Sequence, residues 1–127
     1  MQLTLSEVLT RLHTVHNDMA AAQRALREAR DREVAAMEAH RRAVVVATLS
    51  DECPTPKRGE NGVTVAKRDA WVDQQVADER FAAAVAEAVR KAAEDALRVS
   101  RDQASVVQSL SALMRAEMTL TMTPGAP

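Results

Sequence analysis

The chain of 127 residues carries 17 Lys and Arg against 18 Asp and Glu, a net charge of -1, so no overall field draws it to nucleic acid or an anionic membrane. Apolar residues make up 46% of it, but 25 of them are Ala and the only aromatics are Trp71 and Phe81. That is too little bulk for the kind of core that encloses a cofactor pocket.

The N-terminus, Met1-Gln-Leu-Thr-Leu-Ser-Glu, has no basic stretch followed by an apolar one, and the longest apolar run, Ala43 to Leu49 with Thr48 inside it, is far short of a membrane span. One cysteine, Cys53, allows neither an internal disulfide nor a thiolate metal cage. These features predict a cytoplasmic chain without signal peptide, membrane contact or cofactor.

All Pro and Gly lie in two places, Pro54 to Gly62 and Pro124 to Pro127. Both residues are costly inside helices, so their segregation predicts two long helices, 5-49 and 64-121, joined by a loop at 50-63 and followed by a disordered tail at 123-127. Thr4 with Glu7 forms a capping box, and Leu3 can staple onto Val8. Leu5, Leu12, Met19 and Leu26 then recur every seven residues, as do Val8, Val15, Ala22, Ala29, Ala36 and Ala43, which are the a and d positions of a heptad. Glu33 and His40 interrupt the first series, so the apolar face is expected to move to Met37 and Val44 with a bend or local unwinding near residues 30-37.

Two X-Pro steps and Asn61-Gly62 forbid regular structure in the loop, and Thr64 can cap the second helix. That helix carries a stripe through Val72, Val76, Ala83, Ala86, Ala93, Leu97, Ala104, Val107, Met114 and Met118. Folding the helices back about the loop centre sets Ala43 opposite Ala70, Ala36 opposite Ala77 and Ala29 opposite Ala84. The turns from Leu110 to Met122 then overhang the start of the first helix. The predicted class is all-α, a long antiparallel coiled-coil-like hairpin forming a single domain over 1-122. An alanine seam buries little area, so a homodimer closing into a four-helix bundle is expected to cover the stripe; a monomeric hairpin that docks on another protein is the alternative.

Little chemistry is legible. His13 and His16 are one helical turn apart with no third ligand at a suitable spacing, and His40 beside Arg41 and Arg42 reads as a surface residue. Cys53 follows Asp51 and Glu52, the wrong surroundings for a thiolate nucleophile. Gly59-Glu-Asn-Gly62 has the spacing of a phosphate-clamping loop but no strands around it, and reads as a turn. Trp71 is expected to pack near Val44 and Val45, while Phe81 falls off the seam and marks a dimer contact.

Two surfaces remain. The apolar end of the second helix, Leu110, Leu113, Met114, Met118 and Leu120, suits a groove or a partner helix. Around the loop, Arg41, Arg42, Lys57, Arg58, Lys67 and Arg68 exceed the nearby carboxylates by three charges, which gives a possible nucleic-acid contact without aromatic residues for base stacking.

Three stretches, Asp78-Glu-Arg-Phe-Ala-Ala-Ala-Val-Ala-Glu-Ala-Val-Arg-Lys, Leu97-Arg-Val-Ser-Arg-Asp-Gln and Gln108-Ser-Leu-Ser-Ala-Leu-Met-Arg-Ala-Glu-Met, resemble a group of small two-helix proteins of actinobacterial phages and prophages. The resemblance spans mainly residues 20-118. It implies a setting among early or recombination genes and brings no catalytic residue with it. The expected function is that of a non-enzymatic interaction protein with a phage or host partner. The alternatives are an accessory DNA-binding factor in recombination or replication, and a virion or assembly component.

Overall fold

The computed structural model describes residues 4-57 and 62-122, and the regular structure among them is entirely helical. Helix α1 runs Leu5–Thr48, α2 Val65–Gln75 and α3 Ala77–Met122. Their starts follow from local chemistry. Thr4 N–H donates to Glu7 Oε2 at 2.9 Å while Glu7 N–H donates to Thr4 Oγ1 at 3.1 Å, a reciprocal capping box that satisfies two amides the first turn leaves open. Thr64 caps α2 by accepting from Lys67 N–H at 3.1 Å. Leu3, the expected staple, lies outside the described residues, as do Arg58 and the 123-127 tail.

The expected single second helix is instead two. Val76 leaves helical geometry (φ -105°, ψ 19°) between α2 and α3, although Val76 N–H still reaches Val72 O and Arg80 N–H reaches Val76 O. No Pro or Gly marks this point. The cue is the acidic pair Asp78 and Glu79 in the first turn of α3, where carboxylates oppose the positive end of the helix dipole. Arg80 and Asp73 pair across the step at 3.8 Å.

Two compact units divide the chain: residues 28-91, and residues 1-27 with 92-127. The first is the closed end. Its core is Ala47, Val72 and Val76, with Ala43, Val44, Cys53 and Trp71 packed against them, and Val76 is 1% exposed. Trp71 thus shares this cluster with Val44 as expected, whereas Val45 points to solvent. Lys57 N–H donates to Val63 O at 3.1 Å, pinching the two sides of the connection together.

In this unit Glu33 and Arg90 meet across the helices at 2.6 Å, both side chains mostly covered. This pair corrects two expectations. The stripe does not leave its first series at Glu33: Glu33, Ala36, His40, Ala43 and Ala47 all stay covered or partly covered and Met37 is exposed, although Val44 is half-buried against the core as expected, and α1 is unbroken through residues 30-37. A carboxylate can occupy the seam because the opposite helix supplies a guanidinium. The register also shifts, since folding about the loop centre would set Glu33 opposite about residue 80, some ten residues short of Arg90. The connection is not a symmetric turn; Ala47, near the end of α1, packs on Val72 and Val76, which leaves the first turns of α2 beyond it.

In the second unit the buried residues are Val8 and Leu26 of α1 with Leu97, Ala104 and Val107 of α3. The seam here carries Leu12, Val15 and Met19 as well, and it is built of larger side chains than the closed end.

Candidate functional site

The expected partner-binding end divides into two sets. Leu110 and Met114 are half-buried, so this end is not the wholly unpartnered overhang expected. Leu113 at 67% and Leu120 at 79% are exposed, and Met118 is exposed to a lesser degree.

These exposed residues belong to a longer pattern. On α3, Ala92, Val99, Val106, Leu113 and Leu120 recur every seven residues, one position before the seam residues Ala93, Ser100, Val107 and Met114. Ala96, Gln103 and Leu110 fill the intermediate places, so a second largely apolar stripe runs beside the first. Val99 and Val106 are 55% and 60% exposed and border a shallow groove of about 550 Å³, whose other wall is Arg11, Thr14, Val15 and Asp18 of α1. Sequence reasoning missed this stripe although its heptad recurrence is in the sequence, because the first stripe already accounted for one hydrophobic face.

The basic loop end is largely engaged with its own carboxylates. Arg41 donates to Glu38 through Nε at 2.9 Å and Nη2 at 2.6 Å, and Arg42 Nε donates to the same carboxylate at 3.2 Å. The hydrogen bonds from Arg41, with its charge and that of Arg42, hold the Glu38 carboxyl down from 4.5 to about 2, and Glu38 in turn raises Arg41. Arg68 lies 3.4 Å from Asp69. Lys57 and Lys67 are exposed, and Arg58 lies outside the described residues.

Other pairs are ordinary helical ones: Lys91 with Glu87 at 3.0 Å, whose hydrogen bond and charge lower the Glu87 carboxyl, and Arg98 with Asp95 at 2.5 Å. His13 and His16 are exposed, His40 is half-buried on the seam face instead of at the surface as expected, and no group of three or more metal-ligating side chains occurs among the described residues. Cys53 is a half-buried free thiol whose Sγ lies 3.7 Å from Pro54 O. Phe81, 72% exposed, stands off the seam. Among the described residues, no helix is long and apolar enough to cross a membrane.

No family model, no curated protein and no solved structure matches this chain.

Proposed function

We propose that this chain is a non-enzymatic helical interaction protein of a phage or prophage programme, and that its first partner is a second copy of itself, two hairpins closing into an antiparallel four-helix bundle. Exposed apolar side chains carry the reading: Val99, Val106, Leu113 and Leu120 on α3 and Leu5 and Leu9 on α1 are all exposed, and a partner surface would remove them from water.

The ionisable groups support an interaction role over a chemical one. The Glu38, Glu87 and Asp95 carboxylates are each spent on a basic side chain three or four residues along the same helix, in the open. The phage setting rests on the sequence resemblance.

Light scattering on the full-length chain over a wide concentration range tests the central claim. The expected result is twice the monomer mass, dissociating on dilution. A monomer at every concentration overturns self-association.

A further inference from the structure

We infer that the groove between α1 and α3, in the unit formed by residues 1-27 and 92-127, holds one amphipathic helix of another protein, its apolar side chains on the groove floor and a net positive flank against the rim. This goes beyond the self-association proposed above and does not depend on it.

The floor sets the kind of side chain. Val15 of α1 and Val99, Val106 and Val107 of α3 line a shallow depression of about 550 Å³, and Val99 and Val106 are each more than half exposed. Each wall, residues 10-18 on α1 and 99-107 on α3, is about 12 Å long at about 1.5 Å per residue, a little over two helical turns. A third helix of that length sets apolar side chains at i, i+4 and i+7 along one face, the spacing that fills a groove between two helices.

The rim sets the charge. Arg11 and Asp18 stand seven residues apart on one face of α1, about 10 Å along it, and Asp102 lies on the opposite wall. All three are exposed, and none is ion-paired among the described residues. Carboxylates therefore exceed guanidinium by one at this rim. An occupant that answers them carries a carboxylate for Arg11 and, two turns away, a cation for Asp18, with a further cation toward Asp102. A second copy laid groove on groove brings the same excess of carboxylate against it, so the rim favours a foreign helix over the chain itself.

Fluorescence anisotropy with the full chain and labelled synthetic helical peptides tests this. The first peptide carries Leu at i, i+4, i+7 and i+11, flanked by Glu and Lys seven residues apart; in the second the Glu is replaced by Lys. Wild type should bind the Glu/Lys peptide about two- to fivefold more tightly than the Lys/Lys peptide, the effect of one exposed ion pair, and Arg11→Glu should reverse that order. Val106→Lys, at an exposed position, should weaken the Glu/Lys peptide at least about tenfold while circular dichroism keeps its helical signal. Absence of saturable binding to wild type, an order of affinities that Arg11→Glu leaves unchanged, or binding that Val106→Lys does not weaken each overturns the proposal. Light scattering on the same samples separates it from self-association. A wild-type dimer that Val106→Lys converts to monomer assigns the groove to a second copy and overturns this proposal alone, whereas a monomeric wild type that binds the peptide as described overturns self-association alone.

Discussion

The two units solve the same packing problem with opposite materials. The closed end, residues 28-91, lines its seam with Ala29, Ala36, Ala43 and Ala47, facing a series that includes Ala83 and Ala86, and sets the Glu33–Arg90 pair among them. The open end fills equivalent positions with Leu12, Val15, Met19, Leu26, Leu97 and Val107. Alanine lets backbones approach but gives little area, about 25 cal/mol for each Å² removed from water, and it tolerates many registers. Larger side chains supply area and interlock. The closed end therefore draws its specificity from the Glu33–Arg90 pair and the Ala47–Val72–Val76 cluster, and the open end draws its stability from volume.

That contrast is broken most severely at Leu97. Truncating it to Ala leaves a cavity in the seam that buried Leu26 and Val107 also line, at a cost of about 2–4 kcal/mol in chemical denaturation. A cost below about 1 kcal/mol would mean that the open end holds together without interlocking volume. At the closed end, Glu33→Ala takes the cross-helix carboxylate from Arg90. The pair is mostly covered but not fully buried, so the expected loss is about 1–2 kcal/mol, less than for a fully buried pair. Replacing both residues by Leu should restore or raise stability but weaken the register, read as broadened amide signals around Ala36 and Ala86. A double Leu variant with sharp, unshifted signals would show that the alanines set the register unaided.

Both helical stripes and both helix caps were legible in the sequence because each depends on residues within a few positions of one another. Thr4 with Glu7 and Thr64 with Lys67 are spaced by three, and the heptads need no partner to be seen. The seam's polar members were not legible. Glu33 looked like an interruption because the group that satisfies it lies 57 residues away, and nothing near Arg90 marks it as inward-facing. The register failed for a related reason. It was drawn about a symmetric loop, whereas packing of Ala47 on Val72 and Val76 fixes where the helices meet. The apolar end was legible as composition, but the division of half-buried Leu110 and Met114 from exposed Leu113 and Leu120 depends on tertiary packing that spacing alone does not show. The stripe beside the seam was visible in the sequence and was passed over.

The caps offer a subtler contrast. Thr64→Ala removes the acceptor for Lys67 N–H from a helix of 11 residues at the closed end, whereas Thr4→Ala opens one end of a 44-residue helix. Each should cost about 1 kcal/mol or less. Thr64→Ala should also speed amide exchange through Val65–Gln75, whereas Thr4→Ala should fray only the first turn of α1. Equal, local effects would show that α2 is held by its core contacts alone.

The smallest expected effect is at Glu38, and its sign is fixed by the direction of the shift. The two arginines hold its carboxyl at about 2, below the ordinary 4.5, so the interaction favours the folded state only while Glu38 is ionised. Its contribution is complete above pH 4.5 and disappears as the pH falls through about 2. The melting-temperature difference between wild type and Glu38→Gln should therefore be small at neutral pH, shrink with salt and vanish in acid. A difference that is the same at both pH values would assign the effect to helix propensity. The same substitution releases Arg41 and Arg42 from their shared carboxylate, so retention on an immobilised polyanion should rise and become more sensitive to salt. Unchanged retention would mean that Glu38 does not hold the charge of this end in check, and the basic residues around the loop would regain weight as a nucleic-acid contact.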